Sequence, residues 1–91
     1  MEYEWDDDKN ASNIRKHGVS FDLVKLVDWS EALLFDLRWE DDEERELYIV
    51  PVGNRLYAVL TTERTSATRV ISVRDASTQE KNVWKREFQH G

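Results

Sequence analysis

The feature that most constrains the fold is a change in hydrophobic periodicity near Ala32. Before this point, apolar residues recur at helical spacing, as in Phe21, Val24 and Val27. After it, every second residue from Leu33 to Trp39 is apolar. A period of about 3.6 residues indicates an amphipathic helix, whereas a period of two indicates a half-buried strand. The chain is therefore expected to begin with helices and to continue as a sheet.

The N-terminal third carries start and stop signals for two helices. Asp6 is placed to cap a first helix over residues 7–17, whose first turn is acidic and whose last turn is basic, as the helix dipole favours. Gly18 supplies the left-handed residue that ends this helix. Ser20 then caps a second helix, which is expected to end near Trp29.

Four strands are predicted from the twofold periodicity and from the turn signals between them. Their ranges are 32–39, 47–52, 56–62 and 68–74. Gly53 and Asn54 predict a tight hairpin turn. Pro51 favours an edge position or a strand end, because proline donates no backbone hydrogen bond. Residues 2–5 are also extended in character, which leaves room for a short edge strand.

The last segment opens with a helix-capping signal. Ser77 and Glu80 have the spacing of a capping box, in which the hydroxyl and the carboxylate satisfy free amides at a helix start. The helix is predicted to run to about Phe88, with Trp84 on the same face. We therefore predict one α+β domain over residues 1–91, with two N-terminal helices and a C-terminal helix packed on a four-stranded antiparallel sheet.

Composition narrows the function classes. The chain has no cysteine and only two histidines, His17 and His90, so we expect no disulfide, no metal centre and no cofactor. No apolar run approaches the roughly 20 residues that cross a bilayer, and the acidic N-terminus lacks the features of a signal peptide. We therefore expect a cytoplasmic protein.

Charge is distributed unevenly along the chain. The formal net charge is −6, which by itself argues against nucleic-acid binding. Residues 1–46 hold 6 Lys/Arg against 15 Asp/Glu, whereas residues 47–91 hold 7 Lys/Arg against 4 Asp/Glu. The cationic side chains are thus in excess only in the second half, where three of the predicted strands lie.

A group of residues near the N-terminus resembles the opening pattern of the BrnT family of bacterial toxins. Nine positions in a span of seventeen match in order and spacing: Trp5, Asp6, Lys9, Asn13, Lys16, His17, Gly18, Val19 and Phe21. The similarity continues through the strands to the start of the last helix. The later matching residues are Glu44, Arg45, Gly53, Thr62, Glu63, Arg64, Arg69, Ile71, Ser72, Arg74, Ala76 and Glu80.

This resemblance implies a RelE-like fold and a ribonuclease that cuts RNA without a metal. It also implies a ribbon-helix-helix antitoxin as partner, in a two-plus-two assembly that contacts operator DNA only through the antitoxin. The sequence departs from the family pattern at Val73, Ser77 and Trp84, and its final helix is less basic than is usual there. These departures and the acidic composition leave an alternative open, in which the chain is a weakly active or inactive binding module of such a complex.

Three arginines are the first candidates for RNA chemistry. Attack by the RNA 2′-hydroxyl needs a base, an acid and cations on the phosphate, and the planar fork of arginine matches phosphate oxygens. Arg64, Arg69 and Arg74 come from one strand-loop-strand unit. Arg69 and Arg74 are five residues apart, so on an ideal strand they point to opposite faces. Both can face RNA only if a bulge intervenes or Arg74 lies beyond the strand end.

The remaining candidates each have a structural interpretation beside the functional one. Lys16 and His17 add charge or proton transfer if the first helix ends near the sheet face, but basic residues also stabilise a helix C-terminus. Glu80 is a candidate general base, although the capping box accounts for it as well. Trp84 either stacks on an RNA base or packs against the sheet. The acidic run at residues 40–44 is either a solvated turn or a contact for a basic antitoxin.

Overall fold

The structure, a computed structural model, describes residues 2–89, so His90 lies outside the described residues. The elements in this part of the chain are β1 (Tyr3–Glu4), α1 (Asp7–His17), two 3₁₀ turns (Phe21–Leu26 and Trp29–Glu31), β2 (Leu33–Glu40), β3 (Glu43–Val52), β4 (Arg55–Glu63), β5 (Thr68–Asp75) and α2 (Thr78–Phe88). The α+β class is confirmed. Within the described residues, no helix has the length and apolar character needed to span a membrane.

The sheet has one strand more than the sequence predicts. Its order is β1-β5-β4-β3-β2, and β1 pairs with β5 in parallel while the other neighbours are antiparallel. The prediction of a four-stranded antiparallel sheet is therefore wrong in detail, because residues 3–4 add a parallel edge strand. Most of the chain separates β1 from β5, so the connection between them is long enough for parallel pairing.

The second predicted helix is also wrong in detail. Ser20 does accept a hydrogen bond from the Asp22 amide, but the segment forms a 3₁₀ turn that ends at Leu26, and Asp28 caps a separate short turn. The Val27 amide donates to Val24, three residues back, and Val27 itself is extended. A segment of six residues has little intrinsic helical stability, so side-chain packing decides its conformation.

The strands are longer than their hydrophobic pattern. The acidic run predicted to be a turn is partly strand: only Asp41 and Asp42 form the turn, both with positive φ, and Glu40 pairs with Glu43. Pro51 lies beyond Ile49, the last residue of β3 that pairs with β2. Of the two predicted positions, Pro51 thus occupies the strand end and not a sheet edge. At this strand end its missing N–H breaks no pairing with β2.

Both faces of the sheet are packed, because β4 is central and its residues Tyr57 to Leu60 are all buried. On the first face, α1 and the 3₁₀ turns cover a core that contains Phe21, Val24 and Val59. On the second face, α2 covers a smaller core that contains Leu60 and Trp84. The helices therefore form layers on two faces rather than the single layer expected.

Asn13 explains why α1 lies against β5. Its side chain is 6% exposed, donates to the carbonyls of Val73 at 2.7 Å and Val19 at 2.9 Å, and accepts from the Val73 amide at 3.2 Å. The amide group therefore satisfies backbone groups of β5 beyond the point where β1 ends. The neighbouring Asn10 accepts from the Phe21 amide in the same way. These contacts make much of the N-terminal motif architectural.

Candidate functional site

A bulge in β5 places Arg69 and Arg74 on the same side of the sheet. Leu60 pairs with Ser72 and Thr61 with Val70, so Ile71 is an extra residue in β5. As a result, Val70 and Val73 both lie in the first-face core although they are three residues apart. Arg69 and Arg74, each adjacent to one of these valines, therefore both lie on the second face. Of the two arrangements that would bring both arginines to one face, a bulge and a position of Arg74 beyond the strand end, the structure has the bulge.

Five arginines lie on this second face. Arg45 is two residues from Leu47 of the second-face core and pairs across strands with Arg38. Arg64 reaches across the sheet to Glu43, which lies two residues before Arg45. We call the set the arginine face; it consists of Arg38, Arg45, Arg64, Arg69 and Arg74.

Each of these arginines contacts a carboxylate of the same chain. The N–O distances are 3.2 Å for Arg38 to Asp36, 2.6 Å for Arg45 to Glu40, 3.3 Å for Arg64 to Glu43, 2.7 Å for Arg69 to Glu4 and 2.8 Å for Arg74 to Glu80. Such pairs fix the orientation of the guanidinium groups. They also mean that an incoming phosphate competes with carboxylates already in place.

The pair between Arg74 and Glu80 is the most highly connected. Arg74 donates two parallel hydrogen bonds to the carboxylate, at 2.8 and 2.9 Å, and Glu80 also accepts from the Ser77 amide at 2.7 Å. The capping box is thus complete, with Glu80 serving the helix and the arginine together. The hydrogen bonds from Arg74, helped by Ser77 and opposed by burial, lower the pKa of Glu80 to about 2.

Arg45 is a residue of the arginine face that was not among the predicted site residues. Its side chain is only 11% exposed and contacts three carboxylates, those of Glu40, Asp41 and Glu43. Its Nε is buried with no hydrogen-bond partner among residues 2–89. The available signal was positional, since Arg45 lies two residues before the buried Leu47 on a strand and so shares its face.

Lys16 and His17 lie at the end of α1, in a cleft of about 180 Å³ at the outer side of β5. Lys9 lines the same cleft. The part of β5 that lines the cleft is Ile71 and Ser72, at the bulge between Arg69 and Arg74. Within the described residues, no carboxylate lies within 4.0 Å of these two lysines or of His17. This cleft therefore adds cationic groups that are not already ion-paired.

Trp84 does not belong to the exposed surface. It is 6% exposed, packs against Phe88 with a centroid distance of 5.2 Å, and donates its indole N–H to the carbonyl of Glu31 at 2.7 Å. Its ring is thus in the second-face core beneath α2. The structure brings together the three predicted arginines, with Glu80 beside Arg74, and leaves Trp84 out of that surface.

The geometry defines a class of protein: a small α+β domain whose second sheet face, covered in part by α2, carries oriented and partly exposed arginines that suit a phosphodiester backbone. Comparison with protein families makes the class specific. Residues 5–80 match the family described as the ribonuclease toxin, BrnT, of type II toxin-antitoxin systems, and the chain belongs to this family. The family resemblance is thereby confirmed, and it implies an antitoxin partner. Among curated proteins, none matches the chain.

Proposed function

We propose that the chain is the toxin of a type II pair, a metal-independent endoribonuclease that cleaves cellular RNA in the cytoplasm and so inhibits translation and growth. The observation that carries the proposal is the β5 bulge, which brings Arg69 and Arg74 to the same sheet face as Arg64. Family membership supports the reaction class.

The arginines have a defined role in this reaction. The 2′-oxygen attacks the adjacent phosphorus and the 5′-oxygen leaves, so negative charge accumulates on the phosphate oxygens in the transition state. Guanidinium groups held in fixed orientations stabilise that charge without first reorganising. Arg74 is the best fixed of them, through its two bonds to Glu80, and Arg64 is the most exposed, with a side chain 44% accessible.

Proton transfer is assigned to His17 rather than to Glu80. A carboxylate whose pKa is about 2 binds protons too weakly to be an effective base near neutral pH. Glu80 therefore positions Arg74 and closes the helix cap. Histidine is the side-chain type that exchanges protons near neutral pH, and His17 lies in the α1 cleft that borders the bulge, where Lys16 would hold a neighbouring phosphate.

The proposed partner is a ribbon-helix-helix antitoxin. The family implies an antitoxin. From the resemblance we further infer a two-plus-two assembly in which the antitoxin alone contacts operator DNA. The acidic composition of the toxin, with a net charge of −6, supports contact with a cationic DNA-binding partner.

One observation favours the alternative, a weakly active or inactive binding module. All five arginines of the arginine face are paired with carboxylates of their own chain, so RNA binding must replace existing ion pairs. In that case the chain keeps its fold and its antitoxin but cuts RNA slowly or not at all.

Induced expression without antitoxin tests the proposal, together with cleavage of total RNA by the purified protein. We compare the unmodified chain with Arg64→Ala/Arg69→Ala, with Arg74→Lys, and with His17→Gln. Losing two phosphate contacts should slow cleavage by about 100-fold or more. Arg74→Lys is used because Arg74→Ala would leave the carboxylate of Glu80, which is 7% exposed, without its partner.

Arg86→Ala is the matched control, because Arg86 is an exposed arginine of α2 outside the arginine face. It should cleave like the unmodified chain. If the unmodified protein neither slows growth nor cleaves RNA, the binding-module alternative replaces the enzyme. If the arginine variants and the control are equally toxic, the assignment of the arginine face is wrong.

A further inference from the structure

The first face of the sheet carries an exposed apolar row at its β2 edge. Leu34, Leu37 and Trp39 are 47%, 52% and 71% exposed. Leu34 pairs with Tyr48, which packs against the first-face core, and a bulge at the next residue keeps Leu37 and Trp39 on that same face. Single exposed apolar residues are ordinary, but three in a row on one face of an edge strand indicate a surface that is covered by another molecule.

Carboxylates surround this row. Glu46 pairs with Leu37 and Glu44 with Trp39, so both lie on the first face. Together with Glu63, they form no ion pair within residues 2–89, in contrast to the carboxylates of the arginine face. Burial, the hydrogen bond to Glu46 and the charges of Glu46 and Glu63 raise the pKa of Tyr48 to about 12. The local charge is therefore negative and uncompensated.

A cavity opens beside the row. It has a volume of about 240 Å³ and is lined by Trp29, Ala32, Tyr48, Thr61, Glu63 and Thr68. The Thr61 hydroxyl in its wall is buried and has no hydrogen-bond partner among the described residues. Aromatic walls, one unused hydroxyl and a carboxylate at the rim suit an inserted apolar side chain flanked by a cation.

We propose that this acidic-apolar surface, formed by Leu34, Leu37, Trp39, Glu44, Glu46, Glu63 and the adjoining cavity, is where the antitoxin docks. The antitoxin segment would insert one apolar side chain into the cavity, cover Leu37 and Trp39, and place lysine or arginine against the carboxylates. This inference rests on the antitoxin partner of the proposed function and specifies the surface that binds it.

Charge complementarity favours the antitoxin over a second copy of this chain. A symmetric dimer places the same patch of both copies together, so Glu44, Glu46 and Glu63 of one copy would meet their equivalents in the other. Like charges opposed in this way oppose association. A DNA-binding antitoxin, in contrast, carries the cations that this surface lacks.

The location separates the two activities. The acidic-apolar surface lies on the first face of the sheet, and the arginine face lies on the second. The α1 cleft lies beside β5, and β4 and β3 separate that strand from the β2 edge. Substitutions at the β2 edge of the first face can therefore change antitoxin binding while leaving the proposed RNA site unchanged. A toxin altered only on this surface should remain toxic but escape neutralisation.

The test uses the double variant Leu37→Arg/Trp39→Arg, which removes apolar contacts and opposes the cations of the partner. The protein encoded beside this chain is purified, and its binding is measured by calorimetry. We expect a Kd about 100-fold weaker or more than that of the unmodified chain, the effect of losing a tryptophan anchor and reversing local charge. Co-expressed antitoxin should rescue growth with the unmodified chain but not with the variant.

Leu26→Arg is the matched control. Leu26 is also an exposed apolar residue, 70% accessible, but its 3₁₀ turn packs near β5, and β4 and β3 separate that strand from β2. It should bind within about threefold of the unmodified chain. Circular dichroism and the melting temperature verify that both variants fold. Glu44→Gln/Glu63→Gln should in addition make binding less salt-dependent, since it removes charge from the surface.

Four results would overturn the inference. If Leu37→Arg/Trp39→Arg binds the antitoxin as tightly as Leu26→Arg and the unmodified chain do, the proposed surface is wrong. Toxicity of the unmodified chain without antitoxin would still support the proposed function. If the unmodified chain binds no antitoxin, the partner assignment fails too, and the growth assay still decides whether the chain is a toxin. If the free chain is a dimer that Leu37→Arg/Trp39→Arg dissociates, the occupant is a second copy. If Leu37→Arg/Trp39→Arg unfolds, Glu44→Gln/Glu63→Gln replaces it, and an unchanged Kd and salt dependence reject the surface.

Discussion

The two ends of β5 are held in different ways, although each carries an arginine paired with a glutamate. At the Arg69 end, the outer edge of the strand pairs with β1, and the Arg69 carboxylate partner, Glu4, belongs to that same short strand. At the Arg74 end, the outer edge is held by the side chain of Asn13, and the partner is Glu80 in the cap of α2.

The exposure of the carboxylates distinguishes the two pairs. The arginine side chains are similar, at 28% and 33% exposed, but Glu4 is 38% exposed and Glu80 only 7%. Arg69 makes one contact to a carboxylate that water can solvate, whereas Arg74 makes two contacts to one that also closes a helix cap. An RNA phosphate can therefore displace Glu4 at small cost, while Arg74 keeps its partner and contributes its remaining donors.

Asn13 gives the largest expected effect. Asn13→Ala removes three hydrogen bonds from a buried site and leaves the Val73 amide and carbonyl without partners, which should lower the free energy of unfolding by about 3–4 kcal/mol. Urea denaturation measures the change. Asn10→Ala is the control, because it removes a single bond, to the Phe21 amide, and should cost about 1 kcal/mol. Equal losses in the two variants would mean that Asn13 does not hold this end of β5.

Glu80 comes next. Glu80→Ala removes the capping contact to Ser77 and the bidentate partner of Arg74, so we expect a loss of about 2–3 kcal/mol. Glu4→Ala, at the other end of β5, should cost less than about 1 kcal/mol, because its pair is exposed. Thermal unfolding of both variants compares the two ends directly. A loss in Glu4→Ala as large as that in Glu80→Ala would remove the distinction drawn between the pairs.

Acid should weaken the Arg74 end selectively. The pKa of Glu80 falls from 4.5 to about 2 on folding, so the folded state holds fewer protons than the unfolded state between these values. The resulting stability is fully present above about pH 4.5 and is lost as the pH falls toward 2, amounting to about 2–3 kcal/mol. The difference in unfolding free energy between the unmodified chain and Glu80→Gln should therefore shrink between pH 6 and pH 2.5. A difference that stays constant would show that Glu80 does not titrate with this shift.

Local signals predicted the ends of both α-helices, because Asp6, Gly18, Ser77 and Glu80 act on their own neighbouring backbone. The strands after the Gly53 turn were predicted for the same reason. What depends on distant parts of the chain was not predictable. The extended character of residues 2–5 left room for an edge strand, but nothing near Tyr3 shows that this strand pairs with β5 in parallel. The two-faced core likewise depends on where α2 returns.

The candidate site shows the same division between local and distant signals. The three arginines were visible as residues, but the bulge at Ile71 that decides their common face results from pairing between β4 and β5. Their carboxylate partners come from three other elements, β3, β1 and α2, so no local pattern predicts them. Arg45 was not predicted because the strand was expected to begin at residue 47, whereas β3 begins at Glu43.

The smallest expected effect is the most informative about RNA. Glu4→Gln keeps the shape of the side chain but removes the charge that Arg69 now meets at 2.7 Å. Stability should change by less than about 0.5 kcal/mol, because the pair is exposed. Affinity for a short RNA blocked by 2′-O-methyl groups should rise about two- to fivefold at low salt, since the phosphate no longer displaces a carboxylate.

Fluorescence anisotropy measures the affinity, and Glu2→Gln, an exposed neighbour on the same segment, controls for net charge. If both variants gain equally, total charge rather than release of Arg69 governs RNA binding, and the two ends of β5 do not differ in the way their contacts indicate.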